Sequence, residues 1–112
     1  MQLNDTGLFR AQCYIDGAWC DADSGETIDV TNPSDGAVIG TMPKMGPDET
    51  RRAIEAANAA WPAWRAKTAK ERGAILRKWH DLMLANADDL ALIMTLEQGK
   101  PLAEAKGEIE IG

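Results

Sequence analysis

The stretch Met94 to Glu108, MTLEQGKPLAEAKGE, decides how the rest of this 112-residue chain is read. Gly99 follows a run of apolar positions at helical spacing, where a left-handed C-cap residue belongs, because glycine bears no Cβ penalty there. Pro101 comes just after it with φ already held near the helical value, so Lys100-Pro101 opens a new helix. The segment is one helix end, a sharp corner and one helix start. The helix that begins there, about ten residues with two inward positions, is marginal by itself.

Upstream, Asn86 is expected to cap a third helix that turns Leu90, Ile93, Met94 and Leu96 inward. Thr68-Ala69-Lys70-Glu71 forms a capping box, and the helix after it carries Ile75, Leu76, Trp79, Leu82 and Met83 on its expected buried side. Gly46-Pro47-Asp48-Glu49 starts the first helix, with proline at an early position and acids at the positive end of the dipole. Ala53, Ile54, Ala57, Ala60 and Trp61 repeat along one face of it, and Pro62 is expected to end or kink it. Residues 46–112 therefore form a helical region of three to four helices.

Residues 1–45 have a different period. Cys13 to Cys20, CYIDGAWC, is centred on Asp-Gly, the strongest short hairpin signal. That register sets Cys13 opposite Cys20 and Tyr14 opposite Trp19, with Cys13, Ile15, Ala18 and Cys20 on the other face. Further strands are expected at Thr27 to Thr31 and Val38 to Met42, separated by the Asn32-Pro33-Ser34-Asp35-Gly36 turn cluster. Together they predict one small antiparallel β unit. Directly paired strand residues lie within disulfide reach, so a Cys13–Cys20 bridge is conceivable, while a reducing cytosol argues against it.

Twelve Lys and Arg against eighteen Asp and Glu give a net charge of −6, and the basic residues are scattered, which makes nucleic acid a poor partner. No run is long and apolar enough for a membrane span, and MQLNDTGLFR is too polar for a signal peptide, so a cytoplasmic protein is expected. Ten glycines form neither G-x-G-x-x-G nor a Walker loop, so no phosphate cradle is encoded in these residues. His80 has no His or Cys companions at ligand spacing and is expected to be a partly exposed helix residue. Trp61, Trp64 and Trp79 fall beside other apolar helix positions, as core residues do. From the residues alone, the chain is a mixed β-hairpin and helix domain with no chemistry assigned.

The segment Met94 to Glu108, with Glu97-x-Gly99-Lys100-Pro101 as its most specific part, resembles a stretch near the N-terminus of aldehyde dehydrogenases. The resemblance is closest to the NAD(P)-dependent succinate-semialdehyde dehydrogenase branch. It continues through I-x-G-x-W at Ile15, Gly17 and Trp19, V-x-N-P at Val30, Asn32 and Pro33, and W-x-x-W-R at Trp61, Trp64 and Arg65. Even LNDTGLFR near the start looks like that branch, and the likeness extends to about Ile109.

The resemblance implies an α/β parent enzyme, roughly four times longer, with a Rossmann-like cofactor domain, NADP or NAD as cofactor, an aldehyde substrate and a homotetrameric assembly. Residues 1–112 would be the incomplete N-terminal part of the NAD(P)-binding domain. In that family a cysteine thiolate attacks the aldehyde, hydride passes to the nicotinamide, and a glutamate activates the hydrolytic water. Those residues are expected beyond this chain, and neither Cys13 nor Cys20 matches the catalytic position. No catalytic or cofactor-binding residue is therefore assigned here, and the chain alone is expected to be inactive. The resemblance also implies a monovalent cation near the V-x-N-P turn, which would place Val30, Thr31 and Glu108 at its site, since hard oxygen ligands suit such an ion.

The branch usually continues with small and aromatic residues where this chain has Ile109-Glu110-Ile111-Gly112, which is read as truncation. The alternatives are a stand-alone interaction module, self-associating through uncovered apolar faces, or a remnant without function.

Overall fold

The hairpin turn forms as its residues require: Asp16 and Gly17 both adopt positive φ, 51° and 76°, the backbone of a type I′ turn. It joins β1 (Cys13–Ile15) to β2 (Ala18–Cys20) with Cys13 opposite Cys20 and Tyr14 opposite Trp19, as the sequence predicts. The outward pair packs edge to face with ring centroids 5.2 Å apart, and the Arg10 guanidinium lies 4.5 Å from the Trp19 ring centre. Both cysteines are free thiols.

This computed structural model describes residues 1–112. A short 3-10 turn at Thr6–Leu8 precedes the hairpin; β3 (Thr27–Thr31) and β4 (Val38–Pro43) follow it. Then come α1 (Pro47–Ala66), α2 (Ala69–Ala85), α3 (Ala87–Gln98) and α4 (Leu102–Ile111). The strands do not make the single β unit that their turns suggest. They form two separate two-stranded antiparallel sheets, β1-β2 and β3-β4, because each hairpin closes its own ladder and Gly25 turns the chain away between them.

Three further expectations need correction. Pro62 does not end α1 where it stands; the helix runs on one more turn, to Ala66. Asn58 and Pro62 both face solvent, so the carbonyl deprived of its amide partner can be hydrated. Asn86 holds the N-cap position of α3 as expected, its carbonyl accepting from the Leu90 amide, but its side chain makes no cap; Nδ2 donates to the Leu82 carbonyl at 2.8 Å and so closes the end of α2. The apolar side of α2 is largely exposed within this chain, Met83 alone being half-buried. Trp79 is 63% exposed and Leu82 56%, because within this chain α2 meets α3 and α4 only along one edge. Helical spacing identifies an apolar side and says nothing of what covers it.

The Thr68 capping box is present in both directions, and Gly99 is left-handed at φ 83°. The corner at Gly99 folds α4 back on α3, where Ala91, Ala105 and Ile109 form the small core with Ala87, Leu90 and Met94 packed against it. Alanines at the contact let the two backbones approach closely. Only seven of 112 residues are buried. The accessible surface is 8059 Å², against about 6,000 Å² for a compact protein of this mass. The radius of gyration is 16.5 Å against about 13 Å, and the molecule is a slab of 47 × 36 × 20 Å.

Candidate functional site

Two motifs far apart in sequence, V-x-N-P and G-K-P, meet in space. At the end of β3 the ladder slips between Val30 and Thr31, and the Asn32-Pro33 turn that follows ties itself down. Asn32 Oδ1 accepts from the Ser34 amide at 2.9 Å, and the Asn32 carbonyl accepts from the Gly36 amide at 2.7 Å. This rigid turn presents the Pro33 ring to the corner between α3 and α4. A Cβ built on Gly99 would lie 2.9 Å from Pro33 Cγ, so the glycine is required twice, for its positive φ and for this close approach.

Lys100, next in the corner, reaches α4 and forms an ion pair with Glu108. Its side chain is 23% exposed and that of Glu108 is 53% exposed. Of the three residues expected at a cation, Val30 is half-buried and Thr31 exposed at the ladder slip, and Glu108 faces an ammonium group. A positive charge at that carboxylate repels a second one. As arranged, the donor set does not fit a free cation. Lys100 is the residue that sequence reasoning passed over; its place in the G-K-P motif eight positions before Glu108 was the available signal.

Two buried carboxylates, also missed, hold the layers together. Glu49, 7% exposed in the first turn of α1, accepts from the Asp23 amide at 3.3 Å, and Asp23 in turn binds Arg52 at 2.7 Å. The hydrogen bond and charge of Asp23 raise the Arg52 guanidinium above its ordinary pKa. Asp89, 5% exposed in the first turn of α3, accepts from the amides of Asn4 and Asp5.

Every α-helix carries acid in its first turn, Asp48 and Glu49, Glu71, Asp88 and Asp89, and Glu104, so each positive helix end already holds negative charge that would repel a phosphate. The more apolar hollow, about 400 Å³ between α2 and α4, is lined by Leu8, Trp79, Leu82, Met83, Leu90 and Ile109 with Asn86 as its one polar residue. His80 is half-buried beside Trp79, and no group of three or more His, Cys, Asp or Glu is arranged to hold a metal ion. No helix is long and apolar enough to cross a membrane.

Residues 19–112 match the aldehyde dehydrogenase family. The chain belongs to that family. This aldehyde dehydrogenase chain is 71% identical over 109 residues to a glutarate-semialdehyde dehydrogenase of Pseudomonas putida, covering 97% of the chain and 23% of that relative. It is 67% identical to the NADP-dependent succinate-semialdehyde dehydrogenase of Escherichia coli over the same share of each. Among solved structures, an NADP-dependent enzyme of E. coli superposes with a TM-score of 0.95 at 66% identity, again over 97% of this chain and 23% of the other. A succinate-semialdehyde dehydrogenase of Burkholderia pseudomallei superposes at 0.94 with 63% identity. The aldehyde dehydrogenase chain thus has the family's fold over its own length, as two small hairpin sheets and four helices, and spans about 23% of the relatives that it matches.

Proposed function

We propose that this chain is the N-terminal scaffold of an NAD(P)-dependent aldehyde dehydrogenase that oxidises a carboxylate-bearing semialdehyde, succinate semialdehyde or its one-carbon homologue, in the cytoplasm, as a homotetramer. The observation that carries this reading is the match over 97% of the chain, at 66 to 71% identity, to enzymes named for an NADP requirement or for those two substrates. The choice between the two substrates and between NADP and NAD would rest on residues outside these 112.

Residues 1–112 would be the outer layer of the cofactor domain, and alone they would have no dehydrogenase activity. The acidic helix starts and the apolar hollow support this, since the first-turn carboxylates repel a pyrophosphate and the hollow is lined by apolar side chains with Asn86 alone polar. The test is NADP or NAD reduction by the purified chain with succinate or glutarate semialdehyde. No turnover is expected, and turnover abolished by a thiol reagent would overturn the reading.

The cation reading for Val30, Thr31 and Glu108 takes its support from the Pro33–Gly99 contact, which brings the two turns together. The Lys100 ion pair opposes it. Those three residues would face an ion only after Lys100 has left Glu108.

A further inference from the structure

We propose that Cys13 and Cys20 form a reversible dithiol site, which a low-molecular-weight disulfide such as glutathione disulfide converts to a bridge between β1 and β2 and which reduced glutathione reopens. The two residues are opposite partners in the ladder, both half-buried on the same face of the hairpin, and both are free thiols. Their juxtaposition is made within one hairpin and depends on no other element of the chain.

The register fixes how far apart they stand. Ile15 and Ala18 close the two-residue turn as a hydrogen-bonded pair, so alternation makes Tyr14 and Trp19 a non-hydrogen-bonded pair and Cys13 and Cys20 a hydrogen-bonded one. Such partners have Cα atoms about 5.5 Å apart, inside the range that a disulfide spans. Contacts on both sides hold that register. Toward the turn the Tyr14 and Trp19 rings meet edge to face at 5.2 Å, and on the open side Gln12 Nε2 donates to Asp21 Oδ1 at 3.1 Å. When one thiol reacts, the other is already opposite it.

The same register makes the bridge labile. Directly opposite residues set their Cβ atoms about 4.5 to 5.5 Å apart, against about 3.8 Å in a disulfide, so closure draws the two strands together. The Cys20 thiol also gives up its hydrogen bond to the Ala18 carbonyl, 3.5 Å long. Disulfides closed against such a cost are the ones that a glutathione pool can reduce.

Two exchanges complete the reaction. The thiolate of one cysteine attacks a sulfur of glutathione disulfide, forming a mixed disulfide and expelling one glutathione thiolate. The other cysteine thiolate then attacks the protein sulfur of that mixed disulfide, closing the bridge and expelling the second. Two thiol protons pass to the two glutathione thiolates, and the two electrons lost by the protein reduce one glutathione disulfide to two glutathiones. The inference concerns the hairpin and does not rest on the dehydrogenase reading.

The test treats the full chain with glutathione disulfide, quenches in acid, alkylates the remaining thiols and maps tryptic peptides without reduction; residues 11–44 carry both cysteines on one peptide. That peptide should lose two hydrogens, take up neither alkylating reagent nor glutathione, and recover both thiols in millimolar reduced glutathione. At least one of Cys13→Ser and Cys20→Ser should instead accumulate a glutathione adduct, because no second thiol resolves it. In urea, where the register is lost, the mixed disulfide of the unaltered chain should decay about tenfold or more slowly at the same pH. The proposal is overturned by a peptide that keeps both thiols, by glutathione retained on the unaltered chain, or by a bridge between two chains instead of within one. It is equally overturned by a bridge that reduced glutathione leaves closed, by single variants that both stay free of adduct, or by equal decay with and without urea.

Discussion

Asp89 accepts a hydrogen bond from the main-chain amide of Asp5 at 2.8 Å, across 84 positions of sequence, and its second oxygen takes the amide of Asn4 at the same distance. The carboxylate sits at the positive end of α3, where its charge is favoured, and uses that position to fasten the start of the chain to the helical layer. Asp5 in turn caps the 3-10 turn, and Phe9 beyond it lies on Gly40 of β4. The Asp89 carboxylate, the Asp5 cap and the Phe9 contact together set the path of the first nine residues.

Replacing Asp89 by Ala should cost roughly 1.5–3 kcal/mol, the range for hydrogen bonds to a charged group, and should free the N-terminal arm. Trypsin cleavage after Arg10 should accelerate severalfold relative to cleavage elsewhere. An unchanged cleavage pattern would show that the arm is held by other contacts.

The capping box gives a smaller and more local effect. Thr68 Oγ1 accepts from the Glu71 amide at 3.2 Å and Glu71 Oε2 accepts from the Thr68 amide at 2.9 Å. Thr68→Ala should lower stability by about 1 kcal/mol and Thr68→Ser by less, since only the first loses the oxygen. Urea unfolding followed at 222 nm would measure both, and equal losses would rule out the cap as the cause.

Gly99→Ala should be costlier than an ordinary glycine-to-alanine change. It forces a side chain into a backbone at φ 83° and pushes its Cβ against Pro33. The left-handed backbone alone is worth roughly 1–2 kcal/mol. Pro33→Ala in the Gly99→Ala background should recover the steric share and leave the backbone share, so a double-mutant cycle should show coupling. Additive losses would mean that the two turns do not touch.

Lys100→Gln removes the ammonium from Glu108 and exposes the carboxylate to ions in solution. Melts of that variant in sodium or potassium chloride should exceed those in choline chloride at equal ionic strength, whereas the unaltered chain should show no such difference. If both proteins ignore the identity of the cation, Val30, Thr31 and Glu108 do not form an ion site.

Freshly purified, unreduced protein should titrate two thiols, since Cys13 and Cys20 are opposite one another and free. Fewer than two would show that the hairpin register lets a cross-strand bridge close.

The order of legibility follows the range of the interactions involved. The I′ turn at Asp16-Gly17, the Thr68 box and the left-handed Gly99 are each fixed by a few neighbouring residues, and all three stand where the sequence places them. Pro62 does not stop its helix at once, and Asn86 stands at the start of α3 without its side chain capping it, because each has two local solutions. A proline whose unpartnered carbonyl can reach water need not end a helix, and an asparagine between two helices can close the one before it instead of opening the one after. The candidate site was half legible: V-x-N-P and G-K-P were recognisable motifs, while the Lys100–Glu108 pair depends on the fold of α4 against its corner.

The sequence by itself determined the element order, the hairpin register, the turn chemistry and the family to which the chain belongs, because these depend on local backbone preference, on period and on ordered motifs. Only the tertiary structure decided that Pro33 meets Gly99, that Asp89 holds the N-terminal arm, and that the apolar side of α2 is covered by none of residues 1–112 except along one edge. Each of these relates residues on different elements, and hydrophobic periodicity marks a surface as needing cover without specifying the atoms that provide it.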